Sequence, residues 1–190
     1  MNRTALDKLI SSAGLIIALV LFAAFGGLLY AHNFIHTQVH DQLAAQEITF
    51  PAADSVSLKS LPPTDQAKIS AYAGQHLLTG AQAEVFADNY IAVHLKKVGG
   101  GQTYAKLSTA SLANPTDKAL AGQVQTVFRG ETLRGLLLNA YAFDTMAMVA
   151  LYAAYGALAA GTVLLVLSVL GFLHSKQVKN TKSTKTTKRN

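Results

Sequence analysis

The chain has 190 residues, of which 51% are hydrophobic and 14% charged, with a formal net charge of +6. That leaves room for one modest domain beside whatever lies in a bilayer, and the lack of cysteine excludes disulfides, thiolate metal sites and cysteine catalysis. The basic excess does not read as a nucleic-acid surface: His32 to Asp144 holds eight Lys/Arg against nine Asp/Glu, and the surplus sits at the two ends.

Residues 1–8 are a short basic start. Leu9 to Tyr30 follows as 22 residues without a charge, enough to cross a hydrocarbon core of about 30 Å as a helix. The apolar core is longer than that of a cleaved signal peptide, and the candidate cleavage site at Leu29-Tyr30-Ala31 places a tyrosine where a small residue is preferred. An uncleaved signal anchor over 9–31 is the expectation. Thr145 to Leu173 is a second run, 29 residues with no Asp, Glu, Lys, Arg, Asn, Gln or His. Two spans place both termini on one side. Eight basic residues on the tails mark that side as cytoplasmic, so 32–144 is expected to be extracytoplasmic.

Past the first run there is no helix breaker until Pro51, so the first helix is expected to project beyond the bilayer. Residues 51–63 carry three of the four prolines and read as an extended connector. A helix over 65–78 aligns Ile69, Tyr72, Ala73, His76 and Leu77. Thr79 and Gln82 form the pattern of a capping box. The helix it opens lines up Phe86, Tyr90, Val93 and Lys97 and stops at Gly99-Gly100-Gly101. A short helix is expected over 103–107. Asn114, with Pro115 in the first turn, is the expected cap of a long helix with possible bends at Gly122, Gly130 and Gly135. The tail 174–190 is polar and basic, and disorder is expected from Ser175. The predicted fold is therefore all-α: two transmembrane helices extending into a small extracytoplasmic helical bundle.

Four segments carry a family resemblance: QLAAQEITFPAA at 42–53, GAQAEVFADNYIAVHL at 80–95, GQTYAKLSTAS at 101–111 and QTVFRGETLRGLLLNAYAF at 125–143. With them the chain resembles a family of small uncharacterised two-span membrane proteins of actinobacteria. Proteins of that kind often carry the label of aromatic ring-opening dioxygenase. The resemblance implies membrane residence and bacterial type, and it implies no activity.

His32, His36 and His40 are the candidate metal ligands, since side chains four apart on a helix meet. The alternatives are a pH-sensitive or structural polar seam against Asp144, Asn139 or Glu131 on the second long helix, or no special role. A facial-triad iron site needs two histidines and a carboxylate. His76 and His94 with Glu84 or Asp88 supply the types, but their spacing does not demand it, and hydrogen-bonded core histidines are the commoner case. No catalytic constellation emerges, so the chain reads as a non-enzyme without a cofactor. Arg129, Glu131 and Arg134, continued by Asn139 and Tyr141, form the candidate partner-binding rim, with a solvated helix face as the plainer reading. Gly14/Ala18 and Ala23/Gly27 in the first span, with Ala153, Ala157 and Gly161 in the second, permit close helix approach. The partners expected are the lipid bilayer, and other membrane proteins or a second copy through those faces; nucleic acid is not expected. The leading function is an accessory or interaction subunit of a membrane assembly, followed by a metal- or pH-responsive sensor on the histidine stripe, then an oxygenase.

Overall fold

The computed structural model describes residues 3–187, with side chains from 5 to 177. The side chains of Arg3 and of the tail lysines beyond Gln177, on which the charge argument partly rests, lie outside the described residues. The described chain is all-α: α1 (Arg3–Ala44), α2 (Val56–Lys59), α3 (Pro63–Ser70), α4 (Gly80–Phe86), a π turn (Ala87–Ile91), α5 (Ala92–Val98), α6 (Tyr104–Ala113) and α7 (Lys118–Thr187). Among the described residues the only extended pairing is an isolated antiparallel bridge between Thr49 and His76. Two compact units result, one from 34–147 and one from 1–33 together with 148–190.

The 34–147 unit has a core of leucines and aromatics. Val39 and Leu43 of α1, Leu137 of α7, and Phe50, Leu58, Ile69, Leu77, Phe86 and Leu95 are buried together. Phe50 is the centre of this cluster. Its ring lies 5.2 Å from both Tyr72 and Phe86, and Phe86 continues to Tyr90 at 4.9 Å. Edge-to-face and tilted contacts of this kind add to the apolar burial. The connector at 51–63 is more ordered than its prolines indicate. Ser55 caps the one-turn α2, which inserts Leu58 into the core, and Pro63 opens α3 where a missing N–H costs nothing.

Several expected boundaries move. The helix expected over 65–78 ends at Ser70, and a turn with Gly74 at φ +73° leads into the bridge, so His76 lies on extended chain. The bridge is closed by Phe50 N–H to Gln75 O and Leu77 N–H to Ile48 O, both 2.9 Å. Asn114 ends α6 and does not start α7; Asp117 accepts from the Leu120 amide at 2.9 Å and is the cap instead. The short helix expected over 103–107 extends to Ala113 from a Thr103 cap. α7 passes without a break through Gly122, Gly130 and Gly135 and continues past Leu173 to Thr187. No proline or glycine follows Gly171 to break the helix.

The capping box and the glycine stop form as expected. Thr79 Oγ1 accepts from Gln82 N–H, and Gln82 Oε1 accepts from Thr79 N–H. Gly100 and Gly101 take φ of +58° and +78°, a left-handed region open to glycine. Between these ends lies the π turn, absent from the expectation. Ala83, Ala87, Ile91 and Leu95 are all buried. In an unbroken α-helix the last would be rotated about 120° from the first; one extra residue in the π turn brings the offset down to about 20°. The turn keeps a four-residue apolar spacing on one face.

In the other unit α1 and α7 pack antiparallel, Gly14 against Ser168 and Gly171 against Ser11. Gly161 lies beside Ala18, Leu21 and Phe22. The buried positions recur every seven residues: Ser11 and Ala18 on α1, and Ala154, Gly161, Ser168 and Ser175 on α7. A strict seven-residue repeat of small residues is the pattern of a left-handed, closely approached helix pair. Gly14, Ala18 and Gly161 take part as expected, whereas Ala153 is exposed and its neighbour Ala154 is buried. Most of the large apolar side chains here, Ile16, Val20, Val163 and Val166 among them, are exposed.

Candidate functional site

Asp144 is the most heavily used carboxylate of the 34–147 unit. The box at Thr79 satisfies the amides of Leu78, Thr79 and Gln82, and Gly80 N–H turns to Asp144 Oδ2 at 3.1 Å. Its other oxygen, Oδ1, accepts from His36 Nδ1 at 2.9 Å. One side chain on α7 thereby ties α1 to the start of α4, facing the positive end of that helix. The Asp144 side chain is only 14% exposed, so its bond to Gly80 is sheltered, whereas the His36 ring at the other end is half exposed and that bond is screened by water. Gly80 is required here: a Cβ on it would overlap the Asp144 carboxylate.

The histidine stripe is used one residue at a time. His36 bonds Asp144, one of the partners named from the sequence, and His40 bonds its neighbour Asp41 at 3.2 Å. His32 is half-buried and has interactions of its own. Among the described residues no three of His, Cys, Asp and Glu stand together as a metal-binding group. His76, His94 and a carboxylate are likewise not brought together among the described residues. His94 Nδ1 donates to Tyr90 O at 2.8 Å and its ring lies 4.4 Å from that of Tyr90, His76 bonds Thr49, and Asp88 is taken by Arg134.

The predicted rim separates into two parts. Arg134 reaches off α7 to the π turn, 2.7 Å from Asp88, with Glu131 at 3.5 Å on its own helix. The hydrogen bond to Asp88 and the two nearby carboxylates hold the guanidinium above its ordinary pKa, against a smaller effect of burial. Its Nε is buried with no hydrogen-bond partner among the described residues. Arg134 is thus a brace within the bundle. Arg129 is exposed and Tyr141 half-buried. Asn139 belongs elsewhere, to a groove of about 400 Å³ between α1 and α7.

That groove was not visible as such in the sequence. Phe34 and Phe143, each 55% exposed, and Leu136, 61% exposed, form its apolar lining over Ile35 and Ala140. Gln38, Gln42 and Asn139 contribute neutral amides, and no charged side chain lines it. The signal was present in α1 and α7, where Phe34 and Gln38, and Asn139 and Phe143, repeat at i,i+4 beside the core-facing stripe.

The fold defines an all-α chain in which a compact helical unit is joined to two helices long and apolar enough to cross a membrane. Comparison with protein-family models, with curated proteins and with solved structures gave no match.

Proposed function

We propose that this is an integral plasma-membrane protein of two spans, with cytoplasmic termini and an extracytoplasmic helical unit, acting as an accessory subunit that docks a partner's helix in the groove between α1 and α7. Membrane residence is supported by the exposure of the apolar side chains on both long helices; in water so large a surface would drive aggregation. The orientation is supported by the basic tails, and a bacterial, actinobacterial kinship by the four resembling segments. Docking rests on a single observation, the groove itself. Two neighbouring helices present a trough into which a third can lay its ridge, and its neutral amides favour an uncharged apolar stripe over a charged one.

The test is a photo-crosslinking residue at Gln38, inside the groove, with Lys59 as an exposed control outside it. In native membranes Gln38 is expected to give an adduct of one defined mass, different from twice that of the chain. It should disappear in a Leu136→Ser/Phe143→Ser variant. No adduct, or one equally strong from Lys59, refutes docking; a product of twice the chain mass assigns the groove to a second copy and refutes a separate partner.

A further inference from the structure

The 1–33/148–187 unit holds a second cavity, a cleft of about 410 Å³ between α1 and α7. Its floor is small and polar: Ser11, Gly14, Ser168 and Gly171. Ser11 and Ser168 are each 4% exposed, and neither hydroxyl makes a hydrogen bond among the described residues. A helical serine ordinarily returns its hydroxyl to a carbonyl one turn back, as Thr126, Thr145 and Thr162 do here. A hydroxyl of a buried residue that opens onto a cleft without a protein partner is a donor and acceptor free to take a ligand. The walls, Leu164, Leu167 and Leu170, are apolar.

One end of the cleft is ionisable. Asp7 and His174 line it, and neither makes an ion pair or hydrogen bond among the described residues. From Asp7 to Gly14 is seven residues, about 10 Å of helix. The cleft therefore has a carboxylate mouth, hydroxyls midway and an apolar lining, an arrangement suited to an amphiphile. A carboxylate repels an anionic headgroup and attracts an ammonium. Lys8 adjoins Asp7 in sequence and Lys176 follows His174 by two, so cations for a phosphate stand at the same end. Small floor residues let an acyl chain lie against backbone.

We infer that this cleft is a binding site for an amine-bearing zwitterionic phospholipid, its ammonium on Asp7, its ester oxygens at the Ser11 and Ser168 hydroxyls and one chain along the leucine walls. The inference rests on the membrane-spanning reading above. With both termini cytoplasmic, the lipid belongs to the inner leaflet.

The chain has no tryptophan, which gives a clean reporter. Leu170→Trp places an indole on the cleft wall; Val169→Trp places one at the same depth on an exposed position that does not line it. Both full-length variants are reconstituted in phosphatidylcholine vesicles containing a small fraction of brominated phosphatidylethanolamine or brominated phosphatidylglycerol. Site binding predicts stronger quenching of the Leu170→Trp reporter than of the Val169→Trp reporter by the brominated amine lipid, and no such excess with the brominated glycerol lipid. Asp7→Asn should weaken the excess about tenfold in lipid fraction, as expected for losing one charge-assisted hydrogen bond. Equal quenching at both positions overturns the site while leaving the membrane reading standing. Quenching at neither position overturns the membrane reading itself. An equal excess with the glycerol lipid, or one unmoved by Asp7→Asn, overturns the amine assignment.

Discussion

Asp144 Oδ1 stands 2.9 Å from Nδ1 of His36, while Oδ2 of the same carboxylate holds the Gly80 amide at 3.1 Å. Asp144→Ala deletes both bonds and leaves two donors behind, for an expected loss of about 2–4 kcal/mol. Asp144→Asn keeps one acceptor oxygen and should lose about half as much. His36 is half exposed, so His36→Gln is discounted for screening to about 0.5–1 kcal/mol. Denaturant unfolding of the three variants in detergent should rank them in that order, and a His36→Gln loss equal to that of Asp144→Ala would refute this account of the tie.

Two glycines of α7 should respond with opposite signs. Nothing lies within 4 Å of a Cβ at Gly135, so Gly135→Ala gains helix propensity, about 0.5–1 kcal/mol. A Cβ at Gly130 would enter the space of the Leu95 side chain. Overpacking there costs about 1–3 kcal/mol and exceeds the propensity gain. Thermal unfolding should show Gly135→Ala above the parent and Gly130→Ala below it.

Arg134 divides its guanidinium between Asp88 on Nη2 and Glu131 on Nη1, a planar fork that lysine does not reproduce. With the Arg134 and Asp88 side chains 32% and 43% exposed, a double-mutant cycle using Arg134→Lys and Asp88→Asn should give a coupling of about 0.5–1 kcal/mol. The folded pKa of Arg134 is raised above its unfolded value. Its contribution is therefore complete below the unfolded pKa and is lost only as pH rises through the folded one, far into alkali. Between mildly acid and mildly alkaline pH, Arg134→Lys should lower stability by a constant amount; a loss that changes across that window would show that something else titrates there.

The helix seam distinguishes Ala153 from Ala154. Ala154 is fully buried, so Ala154→Leu overpacks the pair at about 1–3 kcal/mol, whereas Ala153→Leu on the exposed side should stay within about 0.5 kcal/mol. Heat denaturation of both in the same detergent is the measurement, and matching losses would mean that the seven-residue repeat does not define the contact.

These contrasts mark what a linear reading reaches. The capping box at Thr79 and the stop at Gly99–Gly101 are local, written in three or four consecutive residues, and they form as expected. The pairing of His36 with Asp144 was accessible because two antiparallel helices oppose residues at nearly constant index sum. Asn114 and Asp117 offered competing caps three residues apart, and only the path of the chain decides between them. The π turn is a phase change with no residue signature, so the face carrying Leu95 could not be assigned. Arg134 read as a surface residue because its partner Asp88 lies 46 positions away. The groove at Phe34 and Phe143 needed both helices in place before its opening existed.

Gly14 meets Ser168 across 154 intervening steps of chain. The seam on α1 is synthesised well before the surface on α7 that covers it. Until residues 161–175 emerge, Ser11 and Ala18 face whatever surrounds the nascent helix, while the 34–147 segment already has its own core to close. Assembly order is thus written into the connectivity: the 34–147 unit first, the helix pair second. Any truncation upstream of Gly161 would release a chain whose first helix has no counterpart in its own molecule.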